Sequence, residues 1–111
     1  MEVIPERGEI WSVALDPAFG VEIHETRPCV VISVKVLNEM RRTVIVVPLS
    51  SSLKVHPPLL VSVTCDACMA VAVSDQIRAV AKDRLKSRLG LVADQEMTAL
   101  EDGLRLIMQL G

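Results

Sequence analysis

The sequence predicts a mainly β chain with a C-terminal helix, folded as a small, partly closed barrel or strongly bent sheet with the helix across one opening. Three observations carry that expectation. Short β-branched runs follow one another through the first two-thirds of the 111 residues, turn-forming residues separate them, and helical periodicity is confined to the C-terminal end. No repeat and no Gly/Ser-rich linker divides the chain, so residues 1–111 are expected to form one domain.

The elements follow in order. Residues Gly8 to Leu15 set Trp11, Val13 and Leu15 against Glu9, Ser12 and Ala14, the alternation of a half-buried strand, and Asp16-Pro17 ends it as a turn-starting pair. Residues 18–26 read as a loop. Pro28 to Val34 and Arg42 to Leu49 are too short and too valine-rich for helices and are expected to be central strands. Leu59 to Thr64 and Ala70 to Ser74 are two further strands around a turn at Cys65-Asp66-Ala67-Cys68, and Gln76 to Val80 extends the second, for five or six strands in all. Asp94 is the expected N-cap of a helix with Met97, Leu100, Leu104, Ile107 and Met108 on one face. Gly103 inside that helix costs about 1 kcal/mol relative to Ala, which implies close packing at that point.

Composition narrows the function classes. Half the residues are hydrophobic, which excludes a disordered or low-complexity chain. The longest charge-free runs, Thr43 to Leu53 and Val55 to Cys65, are interrupted by prolines, so no membrane-spanning helix is expected. The acidic N-terminus lacks the apolar stretch of a signal peptide, and three cysteines suit a reducing compartment, so a cytoplasmic location is expected. A net charge of −2 leaves room for nucleic acid only at a local patch. With one Trp, one Phe and no Tyr, recognition by base stacking on several aromatics is nearly excluded. Yet a half-hydrophobic chain of this length has more apolar surface than one core hides, which favours a two-fold homodimer.

Four constellations carry potential chemistry. Cys65-x-x-Cys68 is open to a redox site, a zinc site completed from Cys29, His24 and His56, or a hairpin turn with small buried thiols; the β-like runs on both sides favour the turn. His24 and His56 sit in separate loops without a supporting motif and are not assigned as an acid–base pair. Arg78, Lys82, Arg84, Lys86 and Arg88 against the single acid Asp83 fit either a phosphate-binding rim or a solvated face balanced by Glu96, Glu101 and Asp102 of the helix. Finally, Arg27 before one buried strand and Ser50 after another can meet in one cleft if the loops of a small barrel converge.

Arg7-Gly8-Glu9-Ile10-Trp11, Leu15-Asp16-Pro17, Gly20-x-Glu22 with Thr26-Arg27-Pro28, Val46-Val47-Pro48-Leu49-Ser50, Asp75-Gln76-Ile77-Arg78 and Asp83-Arg84-Leu85 together resemble the MazF/PemK (Kid) toxins of type II toxin–antitoxin systems. Order and spacing hold over essentially the whole chain. The resemblance implies an SH3-like small β-barrel of the CcdB/Kid/MazF type, a homodimer, and neutralisation by a cognate antitoxin protein with which the toxin binds DNA. It also implies a sequence-specific endoribonuclease that needs no metal or other cofactor and cleaves single-stranded RNA to 2′,3′-cyclic phosphate and 5′-hydroxyl ends, inhibiting translation.

Such chemistry needs a ribose 2′-OH deprotonated, a phosphorane stabilised and a 5′-oxygen protonated. Arg27 matches the family's catalytic arginine and offers a planar fork of donors to the phosphate. Ser50 stands where relatives generally place Thr, keeping the hydroxyl. Glu22 matches the loop acid and is the first candidate for the general base, with Asp75 the second. Asp75, Gln76, Arg78, Ser51, Ser52, His24 and Thr26 are the expected RNA-binding residues. The variant Ile23-His24-Glu25 leaves the recognised RNA word open. The alternative is a non-catalytic barrel that binds a protein, as the CcdB-like gyrase inhibitors do, or a degraded toxin that only holds its antitoxin. Inhibition of the CcdB kind depends on the end of the helix, here Met108-Gln109-Leu110-Gly111.

Overall fold

In a computed structural model, the described residues are 3–15, 25–65 and 68–111. Seven strands, β1 (Glu9–Leu15), β2 (Glu25–Val31), β3 (Thr43–Ser50), β4 (Leu60–Cys65), β5 (Cys68–Val73), β6 (Arg78–Ala81) and β7 (Leu85–Leu91), join a short helix α1 (Lys35–Met40) and a C-terminal helix α2 (Asp94–Met108). Every strand pairing is antiparallel, in the order β4-β5-β3-β2-β1-β7, with β6 also on β3. Among the described residues no β6–β7 pairing closes the ring, so the sheet is a curled half-barrel. The expected mainly β architecture with a C-terminal helix stands.

The β-branched runs are long because β1, β2 and β3 are buried on both faces. One face contributes Ile10, Val30, Val47 and Leu49 to a core with Val61, Val63, Leu100 and Leu104, beneath α2. The other contributes Trp11, Val13, Cys29, Val31, Val44 and Val46 to a second core inside the curl of the sheet, with Val80 and Leu85. Strand β3 changes partner along its length. Thr43 to Val46 pair with β6, whereas Leu49 and Ser50 pair with β5, and fully buried Pro48 lies between, where its missing N–H interrupts the ladder least.

Several expectations are corrected. Strand β2 begins at Glu25 and ends at Val31, because β1 runs far enough to pair Leu15 with Glu25 and Ala14 with Thr26; part of the expected loop is therefore strand. Residues 76–80 do not prolong β5. A 3₁₀ turn at Ser74–Gln76 ends it, and β6 crosses to β3. Helix α1 and strand β7 were not foreseen. The N-cap of α2 is Ala93 without a side-chain bond, while Asp94 is the first helical residue, an acid placed favourably against the helix dipole with Glu96. On α2, Leu100 and Leu104 are buried and Met97 and Ile107 pack at the core edge, but Met108 is exposed. The expectation for Gly103 holds: a Cβ there would lie 2.4 Å from the Pro58 carbonyl oxygen and 3.3 Å from Ser74 Oγ.

Candidate active site

Strand register brings the expected pair together. The β2–β3 ladder ends at Cys29–Pro48, and Arg27 and Ser50 each lie two residues beyond that rung. A strand alternates sides with period two, so both stand on the face of Cys29 and Pro48, at the same end of the sheet. Arg27 is half-buried and pairs across β1 with Val13, the floor of the inner core. Ser50 is buried, and its Oγ accepts the Ser52 N–H at 3.2 Å with Ser52 Oγ also at 3.2 Å. That local turn fixes the Ser50 hydroxyl at the exit of β3 and ties it to one of the two exposed serines, Ser51 and Ser52, that follow.

Arg78 reaches the same face from β6, opposite Val46. Its guanidinium is half-buried and donates to the Gln76 carbonyl at 3.5 Å and to Gln76 Oε1 at 3.4 Å, so the two residues orient one another. On the same face Cys29 is fully buried, and its Sγ–H donates to the Arg27 carbonyl at 3.7 Å. Burial pushes its thiol up to about 12, against the opposing pull of the Arg78 and Arg27 charges. Both charges reach the thiol across neighbouring strands, so the sequence raised Cys29 only as a candidate zinc ligand and did not disclose its place beside this face.

The other expected residues divide. Asp75 is exposed in the 3₁₀ turn beside Gln76, whereas Thr26 is exposed on the face opposite Arg27. Glu22 and His24 lie outside the described residues. His56 is exposed, and its backbone closes a turn with Leu60.

The basic stretch is neither of the two expected arrangements as a whole. Arg78 belongs to the Arg27 face. Lys82 and Lys86 border a groove of about 350 Å³ with Trp11 and Leu85, and Arg84 donates to the Ala14 carbonyl at 3.4 Å. Arg88 pairs with Glu9 at 2.6 Å, not with helix acids, which bind elsewhere: Glu101 to Arg7 at 2.6 Å, Asp102 to Arg105 at 3.0 Å, and Glu96 to the N–H and hydroxyl of Thr64 at 3.0 Å. Burial raises the Glu9 carboxyl, but hydrogen bonds from the Glu6 N–H, Trp11 and Arg88 together hold it below its ordinary value.

Cys65 and Cys68 are directly opposed as the last pair of β4 and β5, the placement the hairpin reading expects, with residues 66 and 67 outside the described ones; Cys65 is buried as expected, Cys68 exposed. Among the described residues no group of three or more His, Cys, Asp or Glu is placed to hold a metal ion, and no helix is long and apolar enough to cross a membrane.

Residues 6–108 match the family described as PemK-like, MazF-like toxin of type II toxin–antitoxin system. Over 115 aligned residues the chain is 39% identical to endoribonuclease MazF9 of Mycobacterium tuberculosis, covering 94% of this chain and 96% of that protein. A shorter match of 46 residues, 41% of this chain and 35% of the relative, is 46% identical to endoribonuclease PemK of Escherichia coli. Among solved structures, MazF of Deinococcus radiodurans superposes with a TM-score of 0.87 at 19% identity, covering 97% of this chain and 99% of that one. A mycobacterial endoribonuclease in complex with its cognate antitoxin gives a TM-score of 0.79 at 22% identity over 96% and 97% of the two chains.

Proposed function

Because the chain belongs to the PemK-like, MazF-like family of type II toxins, we propose that it is a toxin endoribonuclease that cuts single-stranded RNA through Arg27 and Ser50. The observation that carries the site assignment is the common face and common end of the sheet on which β2 and β3 place those two side chains.

The nucleophile is supplied by the substrate. A 2′-OH attacks its own phosphate, so the protein has to stabilise the phosphorane and move two protons, and neither a metal nor a protein nucleophile is required. Arg27 offers two parallel donors to the non-bridging oxygens. A guanidinium offers donors and no acceptor, so Arg27 is assigned to stabilising the transition state and not to serving as the free base. Ser50 adds a hydroxyl donor held in place by Ser52. Arg78, oriented by Gln76, extends the positive surface along the face, where it meets the flanking phosphates. Glu22 is the first candidate to take the 2′-OH proton and Asp75, exposed on the adjoining turn, the second; Ser51, Ser52 and His24 contribute RNA contacts around them, whereas Thr26 projects from the opposite face.

The protein works as a homodimer in the cytoplasm and is held by a cognate antitoxin, an extended acidic segment competing with RNA for the same cations; its complex binds DNA. Exposed Val34, Val36, Met40, Leu106, Met108 and Leu110 support association, since this much apolar surface is costly in a monomer. Light scattering at micromolar concentration is expected to report twice the chain mass.

The test incubates the protein and Arg27→Ala with a long RNA in EDTA and maps the ends. Discrete, Arg27-dependent cuts bearing 2′,3′-cyclic phosphate and 5′-hydroxyl ends support the assignment. Intact RNA with the wild-type chain overturns it.

A further inference from the structure

Two cysteines outside the Arg27 face have a relationship that the proposed function does not use. Cys65 ends β4, Cys68 begins β5, and their backbones are directly opposed as the terminal pair of the hairpin, separated in sequence by two residues. All three cysteines of the chain are thiols.

We propose that Cys65 and Cys68 form a reversible intramolecular disulfide by exchange with a low-molecular-weight disulfide. Directly opposed residues of an antiparallel pair project their side chains on one side of the sheet, with Cα atoms about 4.5–5.5 Å apart. A disulfide accepts Cα separations of about 4.4–6.8 Å, so the paired backbone is within range, and bringing the opposed Cβ atoms from about 4.5–5.5 Å to the roughly 3.5–4.5 Å of a disulfide takes a small adjustment at the paired strand ends besides side-chain rotation.

Accessibility sets the order of events. Cys68 is exposed, while Cys65 is buried under α2 at the edge of the outer core. The Cys68 thiolate attacks the small disulfide RSSR, forming Cys68–S–S–R and expelling RS⁻. The Cys65 thiolate then attacks the Cys68 sulfur, forming the Cys65–Cys68 bond and expelling the second RS⁻. The two thiol protons finish on the two leaving groups, giving two RSH, and the two electrons pass from the cysteine pair to RSSR. Excess RSH reverses both steps. This is not a thioredoxin-like arrangement, because among the described residues both cysteines lie on strands and neither opens a helix.

The bond would close the tip of a hairpin whose second strand pairs Val71 with Ser50. Cys29 is an internal control: it is fully buried in the other core, and burial keeps its thiol protonated.

The test treats the reduced full-length protein with excess oxidised glutathione and reads mass and peptide connectivity without reductant. The expected product has lost two hydrogens per chain, links the Cys65 and Cys68 peptides, and leaves Cys29 alkylable only after unfolding. Cys65→Ser is expected to stop at a glutathione adduct on Cys68. In the wild-type chain, which needs no substitution to be informative, a persistent glutathione adduct on Cys68, a disulfide between two chains, or no reaction overturns the proposal.

Discussion

Replacing Gly103 by Ala reverses a general expectation. In an exposed helix interior the change stabilises by about 1 kcal/mol, because Ala loses less backbone entropy on folding. Here the new methyl carbon would stand 2.4 Å from the Pro58 carbonyl oxygen, whereas Cβ contacts under 3.0 Å essentially never occur and ordinary contact begins at 3.4 Å, so helix and loop must part by roughly 0.6–1 Å. Neither yields easily. The loop is closed by His56–Leu60 backbone bonds of 2.7 and 2.9 Å, and moving α2 outward loosens buried Leu100 and Leu104. Overpacking of this kind costs about 1–3 kcal/mol, which offsets the propensity gain of about 1 kcal/mol, so Gly103→Ala should be destabilised by up to about 2 kcal/mol and not stabilised. Urea unfolding should show a lower midpoint with an unchanged slope. Gly90→Ala in β7 is the control: nothing lies within 4 Å of its added methyl, and stability should hold or rise. A Gly103→Ala protein more stable than wild type by the full propensity gain of about 1 kcal/mol would refute the close approach.

Other perturbations test the two cores and the site. With Cys29 raised to about 12 in the folded protein from an ordinary 9, the folded state keeps a proton that the unfolded chain loses between those values. Stability should therefore fall by about 1.4 kcal/mol per pH unit above pH 9, a slope that Cys29→Ala removes and that is absent below pH 9. Glu9 has the opposite sign: its lowered carboxyl contributes stability present above 4.5 and lost as pH falls through the folded value. Arg88→Met, which removes one cause of that lowering, should cost about 1 kcal/mol at pH 7 and flatten the acid side of the stability curve, measured by denaturation at several pH values. At the site, Ser50→Thr should retain cleavage because the hydroxyl stays, whereas Ser50→Ala should slow single-turnover cleavage by about 10²-fold; equal rates for the two would remove the hydroxyl from the mechanism.

How far the sequence disclosed these features depends on which physical signal each carries. Valine-rich β2 and β3 were legible because two-sided burial writes a continuous apolar run. Gly103 was legible because a glycine in a helix needs a reason. By contrast, α1 is six residues without a side-chain cap, beginning after Val34, and depends on fully buried Asn38, which donates to the carbonyls of Pro5 at 2.9 Å and Ser33 at 3.0 Å. Strand β7, Leu-Lys-Ser-Arg-Leu-Gly-Leu, is a charged edge strand and reads as a basic segment. The Glu9–Arg88 pair depends on register irregularities between β1 and β7 that no pattern announces. Arg27 and Ser50 were found through the family resemblance, and their shared face follows from register. The influence of the Arg27 and Arg78 charges on Cys29 needed the three-stranded neighbourhood of β2, β3 and β6.

The most direct measurement is a double-substitution cycle on single-turnover RNA cleavage in EDTA, comparing wild type, Arg27→Ala, Ser50→Ala and the double variant. Two donors to one phosphorane should each cost about 10²–10³-fold when removed and combine non-additively, the double variant losing less than the product of the single effects. Cleavage by Arg27→Ala at the wild-type rate, or effects that simply multiply, would contradict a shared site built by the adjoining ends of β2 and β3.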